Sequence, residues 1–204
     1  MRFTTHRRLD QEEVLIAAVD VAFDLGLYAV TSANVAARIG VPERSVSAAW
    51  PDADALVATT FGRIAAADLA EMKRHVLAHP SPTDQLAALL EAIAEEGDID
   101  AVWLESWSLG RRNRALGDVV RSEEGAWHAF VAAVIRRGVK TGDHPGVDAE
   151  DVAAHLLAVV EGVNAYSLVG YRTELDRLRL LHAVACTHLG TSFGESEPVS
   201  LSAV

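Results

Sequence analysis

The sequence predicts an all-α protein of about nine helices. Alanine is by far the commonest of its 204 residues, and aromatic residues make up 6%. Apolar residues recur at the three- and four-residue spacing of a helix that is buried on one side. Residues typical of helix caps and helix breaks separate the periodic segments. A β-sandwich or β-barrel would need more β-branched and aromatic residues than this chain holds.

Three short helices are predicted before residue 50. Asp10 is expected to cap the first, which Gly26 ends. The second covers residues 32–39 and is closed by Gly40, and the third covers residues 42–49. A proline after this third segment breaks the helical pattern, because the residue before a proline is disfavoured in the α region.

Six further helices, mostly longer, are predicted after this break. Their expected ranges are 53–78, 83–96, 99–109, 113–139, 148–169 and 174–189. The change in helix length predicts a small trihelical domain over residues 1–52 and a larger helical body over residues 53–193. Residues 194–204 are small and polar, and we expect a disordered tail there.

Composition excludes several classes of protein. The formal net charge of −11 argues against a chain that coats nucleic acid non-specifically. The single cysteine excludes an intrachain disulfide and a cysteine-rich zinc site. No apolar run approaches the ~20 residues of a membrane span, and no signal peptide is evident, so we expect a cytoplasmic protein without a membrane partner.

Catalytic and metal-binding patterns are also lacking. The sequence has no nucleophile elbow, phosphate-binding glycine loop or His-Glu-x-x-His motif. His75 and His79 have the i, i+4 spacing that can hold a metal, but histidines near a helix C-terminus are also favoured there by the helix dipole. We therefore expect neither an enzyme, nor a metal site, nor a cofactor.

The segment from residue 31 to residue 47 has the pattern of a helix-turn-helix. A tight turn at Gly40-Val41 separates two short helices, and apolar residues are spaced to pack one helix on the other. These apolar residues are Val35, Ala36, Ile39, Val41 and Val46. Such a pair can place its second helix in the major groove of DNA, although many helical proteins contain a glycine-punctuated helix pair without binding DNA.

The surrounding motifs resemble those of the tetracycline-repressor-like (TetR) family of transcriptional regulators. The matching segments are Ala17-Ala18, Phe23-Asp-Leu-Gly26, Ser32 through Val35-Ala36 to Ile39-Gly40-Val41, and Trp50-Pro51-Asp52-Ala53-Asp54-Ala55-Leu56. The resemblance covers residues 10–60. It implies a homodimer that binds a palindromic operator DNA, most often as a repressor, and that a small molecule releases.

Candidate DNA contacts lie on the predicted helix-turn-helix and on the segment before it. They are Thr31, Ser32, Arg38, Arg44, Ser45 and Ser47, with Arg44 as the candidate for bidentate reading of guanine. Arg2, His6, Arg7 and Arg8 form an N-terminal basic arm that either enters the minor groove or is simply solvated.

Two positions depart from the family pattern. Ser47 stands where members usually have tyrosine, and Ala53 where they usually have lysine; both family residues typically contact DNA phosphates. Residues 1–60 also hold only five arginines against eight acidic residues. These departures leave open a dimer that has weakened or lost DNA binding and acts as a ligand-binding or protein-interaction module.

The body offers a ligand site and an association surface. The aromatic residues expected to line a cavity for a small apolar or aromatic molecule are Trp103, Trp107, Trp127, His128 and Phe130, although each can equally be ordinary core. The last two helices carry apolar stripes that the resemblance assigns to a dimer interface, the alternative being intramolecular core. The expected interface residues are Leu156, Val159, Val163, Leu178, Leu181 and Ala185.

Overall fold

A computed structural model of the chain describes residues 9–95, 97–144, 146–171 and 173–190. Over these residues it contains nine α-helices, one short 3-10 turn and no strand, which confirms the predicted fold class. The helices are α1 Gln11–Leu25, α2 Ser32–Ile39, α3 Glu43–Ala49, α4 Ala53–Leu77, α5 Pro82–Ala94, α6 Asp98–Gly110, α7 Arg114–Thr141, α8 Ala149–Ser167 and α9 Glu174–Leu189. The basic arm and the predicted tail at 194–204 lie outside the described residues.

The helix ends follow from capping chemistry. The Asp10 carboxylate accepts a hydrogen bond from the backbone N–H of Glu12, and Gly26 ends α1 with a φ of +91°. Thr31 caps α2 in the same way, since its hydroxyl oxygen accepts from the Asn34 backbone N–H. The sequence did not predict the 3-10 turn Leu27–Ala29, which fills the space between α1 and α2.

The chain divides into two compact units. Unit 1 comprises the described residues of Met1–Ala67 and Ala101–Glu123, and unit 2 comprises those of Asp68–Asp100 and Glu124–Val204. The boundaries therefore fall within α4, α6 and α7. The functional division at residue 52 stays a prediction from the sequence.

In unit 1, α1, α2 and α3 pack on one another. Val14, Val35 and Val46 contribute one fully buried side chain from each of the three helices. The Gln11 side-chain amide donates to the Ala49 carbonyl at 3.1 Å, which ties the start of α1 to the end of α3. Burial of these apolar side chains stabilises the trihelical arrangement at about 1.5–3 kcal/mol for each large residue.

In unit 2, α9 packs against both α5 and α8. Leu86, Leu89, Leu156 and Leu181 are among the buried residues where these helices meet. Among the described residues, none of the helices combines the length and apolar character that crossing a bilayer requires.

Candidate DNA-binding and ligand-binding sites

The turn between α2 and α3 has the geometry of a helix-turn-helix. Gly40 is left-handed, with φ +78° and ψ 36°, a conformation that a residue with a Cβ adopts only at a cost. The N–H groups of Gly40 and Val41 both donate to the Ala36 carbonyl, at 2.9 and 3.0 Å. Val35, Ala36 and Val46 are buried, whereas Ile39 and Val41 are half-buried. The predicted apolar seam therefore forms between the two helices.

The outer face of α3 carries three of the predicted DNA contacts. Arg44 and Ser47 are exposed and Ser45 is half-buried. The Ser45 N–H donates to the Pro42 carbonyl at 2.8 Å, so α3 begins with its first turn already bonded. Within the part of the chain that the structure describes, no ion pair involves Arg44, and its guanidinium can donate to a base edge or a phosphate.

The start of α2 presents a second polar surface. Thr31 is exposed and Ser32 is half-buried. The N-terminal N–H groups of a helix, together with its dipole, favour an anion, so this end can contact a DNA phosphate. The Thr31 hydroxyl oxygen already accepts from the backbone N–H of Asn34 at 3.2 Å. Its hydroxyl proton remains available as a donor.

Arg38 differs from Arg44 because it is ion-paired. Its guanidinium binds the carboxylate of Asp24 near the end of α1. The Arg38 side chain is half-exposed and the Asp24 side chain is exposed. The sequence analysis placed Arg38 among the DNA contacts. It missed the pair with Asp24, because residues fourteen positions apart leave no signal of such a contact. Residues 9–60 are all described and contain two arginines and eight acidic residues, which gives a formal net charge of −6. Of these two arginines, Arg44 is the one without a carboxylate partner among the described residues.

The predicted aromatic ligand site is divided between the two units. In unit 1, Trp103 is buried and packs edge-on against Phe61 with ring centroids 4.9 Å apart, whereas Trp107 is 45% exposed. In unit 2, Trp127 and Phe130 are buried and meet edge-on at 6.4 Å. A common cavity for the five predicted residues stays a prediction.

Lys73 and His128 make the polar contacts found at the aromatic residues of unit 2. The Lys73 ammonium lies over the Phe130 ring, 5.7 Å from its centroid. His128 is directed to the start of α8, where its ring contacts the Glu150 carbonyl at 3.0 Å and the Glu150 carboxylate at 3.5 Å. His128 thus has structural partners, while Trp127 keeps a buried indole N–H without a hydrogen-bond partner among the described residues.

Unit 2 contains carboxyl groups whose pKa is raised by burial. Burial raises the pKa of Asp100, at the start of α6, to about 6, and the nearby Asp68 carboxylate acts in the same direction. Burial also raises the pKa of Glu161 on α8 to about 7, with further contributions from the charges of Glu124 and Asp100. The pKa of Glu124 on α7 is raised by burial as well. The sequence analysis missed this carboxylate group, since its members are contributed by α4, α6, α7 and α8.

Arg177 is a buried cation whose charge acts on Asp100. It is 3% exposed, and its Nε and Nη2 donate to the Ala94 carbonyl at 3.1 and 2.7 Å. Its charge lowers the pKa of Asp100, against the larger effect of burial. Two of its N–H groups are therefore directed to a carbonyl at the end of α5.

The predicted dimer residues are mostly interior. Leu156, Val163, Leu181 and Ala185 are buried within unit 2, and Val159 and Leu178 are half-buried. The four buried side chains are core residues of their own unit, the alternative that the sequence left open. The exposed face of α8 carries a different set of small residues, namely Ala154, Ala158, Gly162 and Ala165.

The histidine pair near the end of α4 forms a ring contact. His75 and His79 meet edge-on with centroids 5.4 Å apart, and the His79 ring nitrogen contacts the His75 carbonyl. Over the described ranges, no group of three or more His, Cys, Asp or Glu side chains is arranged to hold a metal ion.

Comparisons with known proteins identify the fold and the C-terminal region. The family model described as the C-terminal domain of BetI-type transcriptional repressors matches residues 82–193, which is more than half of the chain. A search of curated protein sequences gave no match.

Solved structures of transcriptional regulators have the same fold. A protein from Saccharomonospora viridis, assigned as a transcriptional regulator and solved in complex with choline, has 20% identity and a TM-score of 0.76, covering 87% of this chain and 95% of that one. A TetR transcription regulator from Haloarcula marismortui has 21% identity and a TM-score of 0.72, covering 88% and 95%. The regulator FadR from Bacillus subtilis, in complex with stearoyl-CoA, has 13% identity and a TM-score of 0.64, covering 87% and 97%.

Proposed function

The chain belongs to the TetR family of transcriptional regulators, and from this premise we propose that it is a repressor that binds a palindromic operator as a homodimer and is released by a small molecule. The observation that carries the proposal is the helix-turn-helix formed by α2 and α3, with Arg44 exposed and unpaired on its outer face. A two-fold dimer presents two such helices to the two halves of a palindrome.

The dimer contact that we propose is the exposed small-residue face of α8. A Cβ placed on Gly162 meets no atom within 4 Å in the described chain, so the protomer itself does not require a glycine there. Glycine within a helix costs about 1 kcal/mol relative to alanine. Close approach of a helix from a second copy gives this glycine a role, since Ala154, Ala158 and Ala165 flank it at helical spacing.

A bulky side chain on this face tests the dimer. We expect Gly162→Trp to dissociate the dimer in analytical ultracentrifugation while the helical content stays unchanged. Gly125→Trp is the matched control, because Gly125 also lies exposed within a helix, α7, with no atom within 4 Å of its Cβ position. A Gly162→Trp protein that remains dimeric, or an equal effect of Gly125→Trp, overturns the assignment.

For the releasing ligand we propose a small organic cation with an apolar body. Burial raises the pKa of the carboxyl groups of Asp100, Glu124 and Glu161 in unit 2, and Arg177, whose charge acts on Asp100, is engaged with the Ala94 carbonyl. A cation compensates such carboxylates, and aromatic rings such as Trp127 attract a quaternary ammonium. The choline in the Saccharomonospora viridis structure supports this class of ligand. It refines the apolar or aromatic molecule that the sequence predicted.

Calorimetry with two molecules of equal shape tests the charge requirement. We expect choline to bind and its neutral carbon isostere, dimethylbutanol, to bind at least about tenfold more weakly, because only the cation compensates a carboxylate. Glu161→Gln removes one carboxylate and weakens choline binding, whereas Glu71→Gln, an exposed position on α4, leaves it unchanged. Equal binding of the two molecules overturns the cationic class.

A mobility-shift assay tests the repressor function itself. The purified chain is titrated at low salt onto palindromes from the region upstream of its own gene. We expect one palindrome to be bound and a scrambled version to be bound much more weakly. If none is bound, with or without choline, the repressor proposal fails.

Residues 9–60, which we call the reading head, carry a net charge that favours one alternative. Residues 9–60 sum to −6, Arg38 is paired with Asp24, and Ser47 and Ala53 replace residues that contact phosphates in the family. A dimer that binds its ligand but no DNA, and acts on a protein partner, is consistent with these features. Ligand binding in calorimetry together with failure of every mobility shift favours this second function.

A further inference from the structure

The turn between α1 and α2 is built against a side chain of α6. Gly26 lies at φ +91°, and a Cβ on it would lie 2.8 Å from Oε1 of Glu105 and 2.6 Å from the Tyr28 ring. The turn and α6 both belong to unit 1, although 78 residues separate Leu27 from Glu105. Only a glycine leaves room for the carboxylate at this point.

The Glu105 carboxylate satisfies the turn by a hydrogen bond. Its Oε2 accepts from the backbone N–H of Leu27, the first residue of the 3-10 turn. Leu27 is fully buried, so without Glu105 this N–H would face neither water nor a helical partner. A carboxylate that accepts a backbone N–H makes a charge-assisted bond, which is stronger than a bond between neutral groups.

Further hydrogen bonds continue from this turn to the start of α2. The Ala29 carbonyl, at the end of the turn, accepts from the side-chain amide of Asn34 at 2.8 Å. The backbone N–H of Asn34 donates to the hydroxyl oxygen of Thr31 at 3.2 Å. Glu105 is thus connected through the turn to the N-cap of α2, the helix that precedes α3.

We propose that Glu105 is a positioning residue for DNA binding, which fixes the turn Gly26–Val30 and thereby the N-terminus of α2. This inference rests on the proposed function, since it concerns how the head is held for an operator. Arg44 and the α2 N-terminus contact DNA together only when α2 keeps its place relative to α1. Glu105 acts through the turn and does not itself contact DNA.

Three variants separate this role from general stability. Glu105→Ala removes the acceptor, Glu105→Gln keeps an acceptor oxygen without the charge, and Glu12→Ala removes an exposed carboxylate that pairs α1 with Arg63 on α4. All three are measured as purified full chains, with thermal unfolding as the check on folding. Glu12→Ala is the matched control because it loses a contact of α1 but leaves the turn intact.

Operator affinity and amide exchange are the two readouts. We expect Glu105→Ala to bind the operator about tenfold more weakly, Glu105→Gln to recover most of the affinity, and Glu12→Ala to change it by less than about twofold. Hydrogen–deuterium exchange is expected to rise in Glu105→Ala at the amides of Leu27 and Asn34, while the amides of α3 exchange as in the wild type.

The possible failures are distinguishable. A folded Glu105→Ala protein that binds the operator like the wild type, or loses no more affinity than Glu12→Ala, overturns the role of Glu105 and leaves the proposed function standing. Unchanged exchange at Asn34 also overturns it, because the turn would then not be transmitting the contact. A wild-type chain that binds no palindrome overturns the proposed function and this inference together.

Discussion

The two units differ in the surroundings of some of their carboxyl groups. In unit 1, arginines and carboxylates pair at the surface, as Arg38 does with Asp24 and Arg63 with Glu12. In unit 2, Asp100 is buried and Glu161 is half-buried, and burial raises the pKa of each. Pairs in water contribute little to stability, whereas a buried carboxylate lowers the stability of a fold unless a cation compensates it.

This difference indicates where each unit is specialised. Surface pairs in unit 1 orient helices at small energetic cost and leave Arg44 as the unpaired arginine of residues 9–60. The raised pKa values of Asp100 and Glu161 mark unit 2 as the unit in which we propose that a cation binds. Four experiments test the contrast, from the largest expected effect to the smallest.

Replacement of the buried arginine is expected to have the largest effect. Arg177→Met leaves the Ala94 carbonyl without its two donors and Asp100 without its facing cation. We expect a loss of about 3–5 kcal/mol in the free energy of unfolding, measured by urea denaturation at pH 7.5. Arg63→Met, which breaks an exposed pair, is the control and should cost far less than Arg177→Met. Similar costs for the two would erase the contrast between the units.

The unpaired arginine of the reading head comes next. Arg44→Ala is expected to weaken operator binding by about 1–3 kcal/mol and to relax the preference at one base pair, because the bidentate contact to guanine that we propose for Arg44 is then lost. Arg38→Ala should change the affinity much less, since Asp24 already holds its guanidinium. Anisotropy titrations against the operator and single-base variants measure both effects. Equal losses for Arg38 and Arg44 would show that pairing does not decide which arginine contacts DNA.

Glu161 gives unit 2 a defined pH dependence. The pKa of Glu161 is about 7 in the folded chain, against an ordinary value of 4.5 that applies to the unfolded chain. Between pH 4.5 and pH 7, Glu161 therefore keeps its proton in the folded chain and loses it in the unfolded chain. The contribution of Glu161 to stability therefore falls as pH rises from about 4.5 to about 7 and stays low above this range.

The substitution Glu161→Gln removes this titration. We expect the variant to be more stable than the wild type at pH 8 by about 1–2 kcal/mol, and the two proteins to be equally stable near pH 4. Thermal unfolding across pH measures the difference. A variant that is less stable than the wild type at pH 8 would mean that the Glu161 carboxylate is stabilised in the fold.

The exposed pair Arg38–Asp24 should give the smallest effect. A double-mutant cycle with Arg38→Ala and Asp24→Ala is expected to show a coupling energy of about 0.2–1 kcal/mol in the free energy of unfolding. The coupling should shrink in high salt, because both side chains are accessible to ions. A coupling that is larger than this range and does not change with salt would mean that the pair is shielded from solvent like a buried ion pair.

Local features of the sequence were enough to predict the helices. Asp10, Thr31 and Gly40 cap or end helices by contacts within four residues, and such contacts leave a pattern in the sequence. The helix-turn-helix and its exposed Arg44 follow from the same short-range rules.

Contacts between distant residues could not be predicted. Three features depend on which helix faces meet: the bond from Leu27 to Glu105, the pair of Arg38 with Asp24 and the partial burial of Glu161. The sequence left Glu105 undistinguished from a solvated residue, because nothing within its own helix requires a carboxylate. Apolar spacing likewise identified Leu156 as an inward residue but could not tell a dimer contact from the core of its own unit.

Anisotropy of a labelled palindrome from upstream of the chain's own gene tests the central claim most directly. The wild-type chain is titrated at low salt, and choline is then added to the bound complex. The account predicts saturation at two protomers per palindrome, little binding to a scrambled sequence, and release by choline but not by neutral dimethylbutanol. Equal affinity for the palindrome and the scrambled sequence, or no binding to either, would contradict it.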